Sequence, residues 1–371
     1  MESCPLRPPA LPPTALPHRS ARSPMTAVAP AAAPPVRSRR ALRLAATWAL
    51  LVGLLLVVCF FSISMGSRDI TLRTVWDAFD AFDPSSTEHT VIREMRVPRT
   101  LLGLTVGAAL GLSGAILQGV TRNPIADPGI MGINAGAAAA VVASATMLGI
   151  GSLTGQIWAA FVGAGIATVV VYGVASFGRE GATPVKLALA GAAVTAGLTA
   201  FTSAMVMTST EALNELRFWQ VGALAGRYMP VFWQTLPFIV VGIVVALGAG
   251  RALNGLALGE DIAIALGQHV ALTRAMLFVT VAVLCGAATA ACGPIVFIGL
   301  VVPHVARMIC GPDYRAILAF SLVLSPIVLL VADILGRLAL PGGELQVGVV
   351  LGVLGAPFFV LLVRYRNLTE L

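Results

Sequence analysis

The sequence predicts an all-α polytopic membrane protein with about ten transmembrane helices, and two features carry this prediction. Of the 371 residues, 57% are hydrophobic and only 11% are charged, whereas soluble domains carry roughly 25% charged residues. The apolar residues are also grouped in long runs, and a helix needs about 20 of them to cross a bilayer. A mean hydropathy of +0.90 agrees with this class.

Ten apolar segments follow one another along the chain. We expect transmembrane helices over 42–65, 98–120, 132–150, 156–177, 185–207, 230–249, 275–292, 294–310, 315–336 and 346–364. The segment 294–310 has the weakest pattern, because Pro303, His304 and Arg307 interrupt it. We expect this helix to lie partly within protein rather than against lipid.

The ends of the chain differ in composition from the middle. Residues 1–40 are rich in Pro, Ala, Ser and Arg and lack apolar periodicity, which predicts a disordered tail. A transmembrane domain is expected over 41–366, followed by a C-terminal tail over 367–371.

Arginine placement predicts the orientation in the membrane. If the N-terminus is cytoplasmic, roughly two thirds of the 24 Lys and Arg residues fall in cytoplasmic segments, as the positive-inside rule requires. Much of this excess comes from residues 1–40. Both termini are then cytoplasmic in a multi-pass protein of the cell membrane.

Several functions are disfavoured by what the sequence lacks. The single lysine, Lys186, follows Val185, so no Gly-Lys-Ser/Thr phosphate loop is present. The five cysteines form no CxxC pair, and neither a metal site nor a cofactor is indicated. Nucleic-acid binding is a poor interpretation of the net charge of +7, because most arginines flank apolar segments.

Three local patterns suggest contacts or function. Gly103, Gly107 and Gly111 share one helix face, which predicts close helix packing within one subunit. The stretch "LALGEDIAIALG" over 256–267 reads as a short amphipathic helix between two spans, and a helix lying at the lipid headgroups is the alternative. The stretch "TRNPIADPG" over 121–129 predicts a rigid loop.

Three longer stretches together resemble one family. They are "RVPRTLLGLTVGAALGLSGAILQGVTRNPIADPGIMGINAGA" at 96–137, "NGLALGEDIAIALG" at 254–267, and "CGPIVFIGLVVPHVARMICGPDYR" continuing to "ADILGRLALPGGELQVGVVLGVLGAPFF" at 292–359. Their order and spacing resemble the FecCD family, the permease subunits of type II ABC importers for iron-siderophores, haem and cobalamin.

The resemblance implies both an architecture and partners. It implies ten helices per subunit in a cobalamin-permease-like fold, and a dimer with a second permease subunit, identical or paralogous. It also implies two ABC ATPase subunits, which would carry out ATP hydrolysis, and an extracytoplasmic substrate-binding protein. Iron-siderophore is the expected cargo, with haem and cobalamin left open.

The resemblance also implies four groups of site residues. ATPase coupling falls on Leu258, Gly259, Glu260, Asp261 and Ile262, within cytoplasmic coupling helices over 251–274. The cytoplasmic gate falls on Asn123, Ile125, Thr183 and Pro184. Residues lining the pathway are Gly191, Thr195, Thr199 and Thr202. The arginines that would dock the binding protein are Arg96, Arg99 and Arg337.

Simpler roles compete for some of these residues. The threonines can bond their own helix backbone, Arg337 can pair with Asp333 four residues earlier, and Arg96 and Arg99 can snorkel from a helix end. An ion-coupled secondary transporter is the alternative function, but it needs ionisable groups deep in the bundle, and the spans contain essentially only Asp333. An intramembrane enzyme lacks an evident nucleophile–base pair.

Overall fold

The structure is a computed structural model that describes residues 36–66, 70–177, 183–340 and 343–365. Fifteen α-helices lie in these ranges: α1 Val36–Ser64, α2 Leu72–Asp80, α3 Thr87–Thr90, α4 Val97–Thr121, α5 Ile133–Leu148, α6 Leu153–Ala175, α7 Pro184–Val206, α8 Thr210–Gln220, α9 Met229–Gly248, α10 Gly250–Leu258, α11 Glu260–Ala265, α12 Val270–Cys292, α13 Ile298–Cys310, α14 Tyr314–Leu338 and α15 Val347–Tyr365. A π-helical turn, Val91–Arg96, leads into α4, and a 3₁₀ turn, Pro128–Met131, precedes α5.

Each predicted transmembrane segment is a helix in the structure. Seven helices are long and apolar enough to cross a membrane, and α5, α13 and α15 are shorter apolar helices. The predicted span 294–310 begins only at Ile298, because Gly293 adopts φ +75° and the chain stays irregular up to Phe297 at φ +69°.

The chain ends are only partly described. Helix α1 begins at Val36, so the last residues of the predicted tail over 1–40 are helical. The rest of that tail, residues 1–35, and the predicted C-terminal tail over 367–371 lie outside the described residues. The predicted disorder of these stretches stays a prediction.

Helix α4 lies at the centre of the bundle and is packed through its glycines. A Cβ atom on Gly107 would lie 2.7 Å from the Cα atom of Pro326 in α14. The same face brings Gly103 against Leu330 and Gly111 against Ser325. Small residues let these two backbones approach, so the prediction that the glycine face packs within one subunit is confirmed.

The spans differ greatly in how much of their surface the chain covers. In the most apolar window of each helix, 83% of the residues are buried for the α4 span but only 17% for α7. A membrane helix can leave its apolar surface to lipid, but α7 also carries hydroxyl side chains on exposed positions such as Thr199. Hydroxyl groups on an exposed face suggest contact with water or protein rather than lipid alone.

Candidate translocation, coupling and docking sites

A cavity of about 590 Å³, lined by both polar and apolar residues, lies beside α7. It contains three of the predicted pathway residues, Thr195, Thr199 and Thr202. Asn134 at the start of α5 and Gln220 at the end of α8 add amide groups to its wall. Because its polar groups are neutral hydroxyls and amides, this cavity can hydrogen-bond a polar solute without holding it by charge.

The fourth predicted pathway residue, Gly191, is buried in α7 and is not among the residues that line this cavity. Of the threonines, Thr202 donates a hydrogen bond to the Leu198 carbonyl, 2.7 Å away. The simpler role for this hydroxyl, a bond to its own helix backbone, is therefore present in the structure.

The predicted gate residues form two separate local structures. Asn123 is exposed, and its side-chain oxygen accepts a hydrogen bond of 3.1 Å from the Ile125 backbone N–H, which fixes the loop. Thr183 is the N-cap of α7, where its hydroxyl accepts from the Lys186 N–H, and Pro184 is the first residue of the helix. In the described part of the chain, no hydrogen bond joins these two stretches.

The same loop contains a partly buried acid that sequence analysis did not select. The Asp127 carboxylate accepts a hydrogen bond of 2.8 Å from the Gly129 N–H and so caps the 3₁₀ turn before α5. Burial raises the pKa of the Asp127 carboxyl, and the bond to Gly129 opposes this effect only in part.

The stretch predicted as one amphipathic helix over 256–267 is two helices. Helix α10 ends at Leu258 and α11 starts at Glu260, because Gly259 adopts φ +121° and ψ 156°. This region of backbone space is essentially restricted to glycine. The apolar periodicity continues across the break, so the pattern alone predicted a single helix.

The α10–α11 hairpin is anchored to the bundle on one side. The Asn254 side chain donates to Asp313 at 2.7 Å and accepts from the Tyr314 N–H at 2.8 Å, at the start of α14. The hairpin also exposes four apolar residues, which we call the hairpin surface: Leu258, Ile262, Ile264 and Leu266. A rigid base and an exposed apolar surface together suit the transmission of force to a partner protein.

Glu260, a predicted coupling residue, is paired within the chain. Its carboxylate contacts the Arg274 guanidinium of α12, and the Arg122 guanidinium lies 3.7 Å from the same oxygen. Arg122 immediately precedes the gate residue Asn123. The ion pairs therefore connect the hairpin to the gate loop as well as to α12.

The three predicted docking arginines meet around one cavity of about 470 Å³. Arg96, Arg99 and Arg337 line it, together with Arg227 and Glu344, which sequence analysis did not select. All three predicted arginines are buried, so they are held within this chain rather than projecting from its surface.

Asp333 is the centre of this cluster. Its carboxylate lies 2.8 Å from Arg99 Nη2 and 3.0 Å from Arg337 Nη2, and it is fully buried. The local pair between Asp333 and Arg337, the alternative expected from their spacing, is present. Arg99 Nη1 also lies 2.7 Å from Glu344, whose side chain is partly exposed. Such pairing offsets the desolvation of a buried carboxylate.

The same arginines hold the end of α1. Arg337 donates to the carbonyl of Ser62 at 2.8 Å and to that of Met65 at 2.9 Å. Arg96 donates to the carbonyl of Ser64 at 2.6 Å. The last carbonyls of a helix lack partners within the helix, and cations are favoured at that end. The cluster therefore ties α1, α4 and α14 together.

These observations define a class of protein: a helical membrane permease with a neutral polar cavity beside one exposed span and an anchored hairpin at one end. The FecCD transport family profile matches residues 54–365. The chain belongs to this family.

Known relatives agree in length as well as in sequence. The chain is 42% identical over 314 residues to the ferric enterobactin transport system permease protein FepD of Escherichia coli, covering 85% of this chain and 93% of that protein. It is 41% identical over 316 residues to the iron(3+)-hydroxamate import system permease protein FhuB of Bacillus subtilis, covering 84% and 81%. Identity to the cobalamin import system permease protein BtuC of Halobacterium salinarum is 35% over 373 residues, covering 90% and 100%.

A solved structure shares the fold. It is described as an inward-facing conformation of a metal-chelate type ABC transporter, and it is 26% identical to this chain. The two superpose with a TM-score of 0.76, over 86% of this chain and 99% of that one. The prediction of an all-α permease of this family is confirmed.

Proposed function

We propose that the protein is the permease subunit of an ATP-driven importer that carries a ferric siderophore or a similar iron chelate. The observation that carries this proposal is the neutral polar cavity along α7, at Thr195, Thr199 and Thr202. The wall combines neutral hydroxyls and amides with apolar side chains such as Val206 and Leu216, so a large chelate can pass without being held by charge. The names of the relatives, which include enterobactin and hydroxamate systems, support iron chelates over haem or cobalamin.

The exposure of α7 supports a second permease subunit, identical or paralogous, on the other side of the pathway. Helix α7 is only 17% buried in its most apolar window, and its exposed surface carries hydroxyl groups such as that of Thr199. The partner's matching helix would close the pathway, and lipid would cover the other exposed spans.

The membrane orientation follows from the arginine distribution, with both termini in the cytoplasm. A membrane-impermeant thiol reagent tests this proposal on cysteines placed at exposed positions. Cysteine in place of Asp80 should react in intact cells, and cysteine in place of Ile264 should react only after the cells are opened. The reverse pattern would invert the topology.

Coupling to two ATPase subunits is assigned to the hairpin surface. Leu258 and Ile262 would pack into the ATPase, while Gly259 provides the sharp break and Asp261 lies beside Glu260 at the start of α11. Movement of α11 would reach Asn123 and Ile125 through the pair between Glu260 and Arg122. ATP hydrolysis itself is assigned to the ATPase subunits.

Docking of an extracytoplasmic binding protein is assigned to the arginine cavity. Arg96, Arg99 and Arg337 give this end of the permease its positive charge. Because Arg99 is already bonded to the partly exposed Glu344, a carboxylate of the binding protein would replace Glu344 rather than fill an empty position. A guanidinium can hold a carboxylate through two parallel hydrogen bonds.

Uptake by a strain that lacks the gene tests the cargo. The strain is supplied with ferric enterobactin, a ferric hydroxamate, ferric citrate or cobalamin, each carrying a radioactive metal. We expect the wild-type gene to restore uptake of one ferric siderophore at least tenfold over empty vector. The variant Leu258→Asp, Ile262→Asp, expressed to the same level, serves as the inactive control. Restored uptake of cobalamin alone, or of none of these, would refute the proposed cargo.

A further inference from the structure

Helix α2, Leu72–Asp80, has two apolar faces, of which the chain buries only one. Val75 and Ala78 are buried and form a small core with Ile92. Leu72, Trp76 and Phe79 are exposed, and Trp76 is 74% accessible. These three residues are spaced at i, i+4 and i+7, so they form one continuous stripe on the helix.

The remaining face of α2 is polar. Arg73 and Asp77 form an exposed i, i+4 pair at 3.9 Å, and Asp80 is exposed beside them. At about 100° per residue, the exposed apolar stripe lies between the core face and this polar edge. Exposure of such an apolar stripe to water is unfavourable, so we expect a surface of low polarity to cover it.

The packing of α2 fixes its level along the bundle. The core that holds Val75 and Ala78 also contains Ile63, in the last turn of α1, and Val97, the first residue of α4. Because α1 and α4 are membrane spans, their ends lie where the hydrocarbon core meets the lipid headgroups. The end of α1 exposes further apolar side chains at this level, including Phe60, Phe61 and Met65.

We propose that α2 is an interfacial helix, bound along the stripe of Leu72, Trp76 and Phe79 to the lipid leaflet that surrounds the end of α1. Trp is enriched at the boundary between headgroups and acyl chains, where its ring is apolar and its N–H can stay hydrated. The polar edge at Arg73 and Asp77 then faces the headgroups and water, as expected for an amphipathic helix in the plane of the membrane. The leaflet acts as the third support of α2, beside α1 and the turn leading into α4.

Spin labels on the full-length permease in vesicles of phosphatidylcholine and phosphatidylglycerol test this placement. Cysteines at positions 76 and 79 report on the stripe, and cysteines at 73 and 80 are matched controls on the polar edge. The unsubstituted chain, treated with the label, gives the background from native cysteines. We expect collisions with oxygen to exceed those with a water-soluble nickel complex at least threefold at 76 and 79, and the reverse at 73 and 80.

Equal access of the nickel complex to all four positions would overturn the proposal. So would immobilisation of the labels at 76 and 79 only when a binding protein is added, or broadening from a second copy of the chain, since either would identify a protein as the occupant. A second measurement avoids any effect of cysteine substitution on folding. Lipids brominated near the headgroup should quench the fluorescence of the wild-type protein more than that of Trp76→Phe. Equal quenching of the two would also overturn it.

Discussion

Asp333 lies between Arg99 and Arg337, and Glu260 lies between Arg274 and Arg122, but the two carboxylates differ in exposure. The Asp333 side chain is 0% exposed and the Glu260 side chain 47%. Tyr314 anchors the α10–α11 hairpin, and Asp333 lies 19 positions further along α14, roughly 28 Å away at 1.5 Å per residue. A carboxylate between two arginines thus occurs at two levels of the bundle, and it is buried at one level and solvated at the other.

The difference predicts different roles. A buried ion pair is strongly destabilised when one partner is removed, so the Asp333 cluster fixes α1, α4 and α14. A solvated pair contributes little to stability, so the Glu260 cluster can break and re-form during movement. We infer a fixed end at Asp333 and a movable end at Glu260.

The largest expected effect comes from Asp333→Asn. The amide keeps the shape but leaves Arg99 and Arg337 without their buried counter-charge, which should lower the free energy of unfolding by about 3–5 kcal/mol. Urea unfolding of the purified protein in detergent measures this change. The exposed Asp80→Asn is the control and should stay within about 0.5 kcal/mol of wild type. Equal urea midpoints for the two variants would show that Asp333 does not stabilise the fixed end.

Glycine-to-alanine changes at two positions measure the effect of backbone strain where no side-chain clash arises. A Cβ atom at Gly259 or at Gly248 meets no atom within 4 Å, but only Gly259 has a positive φ, of +121°. Gly259→Ala should therefore destabilise the hairpin by about 1–3 kcal/mol, while Gly248→Ala should not. Hydrogen exchange over residues 256–266 reports the difference. Equal exchange rates in the two variants would show that the break at Gly259 is not required.

Glu260→Gln should have little effect on stability and a clear effect on transport. Removing this half-exposed carboxylate should change the free energy of unfolding by no more than about 1 kcal/mol. Uptake by this variant should fall severalfold, because the link from α11 to Arg122 is lost. Uptake by the wild-type protein should also decrease with added salt, because salt screens the ion pair. Asp80→Asn removes an exposed carboxylate outside the coupling residues and is the control. Unchanged uptake in Glu260→Gln would show that the link carries no movement.

The smallest effect on stability is expected from Asp127→Asn, because Asp127 has no salt bridge within the described residues. This effect should depend on pH. Because burial raises the pKa of the Asp127 carboxyl in the folded protein, the folded state holds the proton more tightly than the unfolded state. Stability should then fall as pH rises from the unfolded pKa through the folded one. Asp127→Asn keeps an acceptor for the Gly129 N–H and should lose this dependence. Thermal unfolding between pH 4 and 8 tests it, and parallel curves would contradict it.

Much of the fold could be predicted from the sequence because the bilayer sets the length of its apolar runs. The ten spans and the glycine face of α4 are of this kind, since run length and i, i+4 spacing are local. The break at Gly259 was not predictable from periodicity, because Leu258, Ile262 and Leu266 keep helical spacing across it.

The partners within the arginine cluster also escaped prediction. Asp333 and Arg337 are four residues apart, so their pair could be expected. Arg99 is more than 200 positions from Asp333, and neither Glu344 nor Arg227 carries a local pattern that connects it to Arg99. The packing of α4 against α14 brings Arg99 to Asp333, and the chain segments before α9 and before α15 bring Arg227 and Glu344 to the same cavity.

The central claim, that the hairpin at the movable end receives the force of an ATPase, is tested most directly with Leu258→Asp, Ile262→Asp. A carboxylate buried against the ATPase without a partner would cost several kcal/mol. The conservative variant Leu258→Met, Ile262→Leu is the control. The measurement is co-purification of the ATPase, together with its stimulation by loaded binding protein in vesicles. We predict that the aspartate variant loses both, and that the control and the unfolding midpoint stay unchanged. Normal co-purification and stimulation in the aspartate variant would contradict the claim.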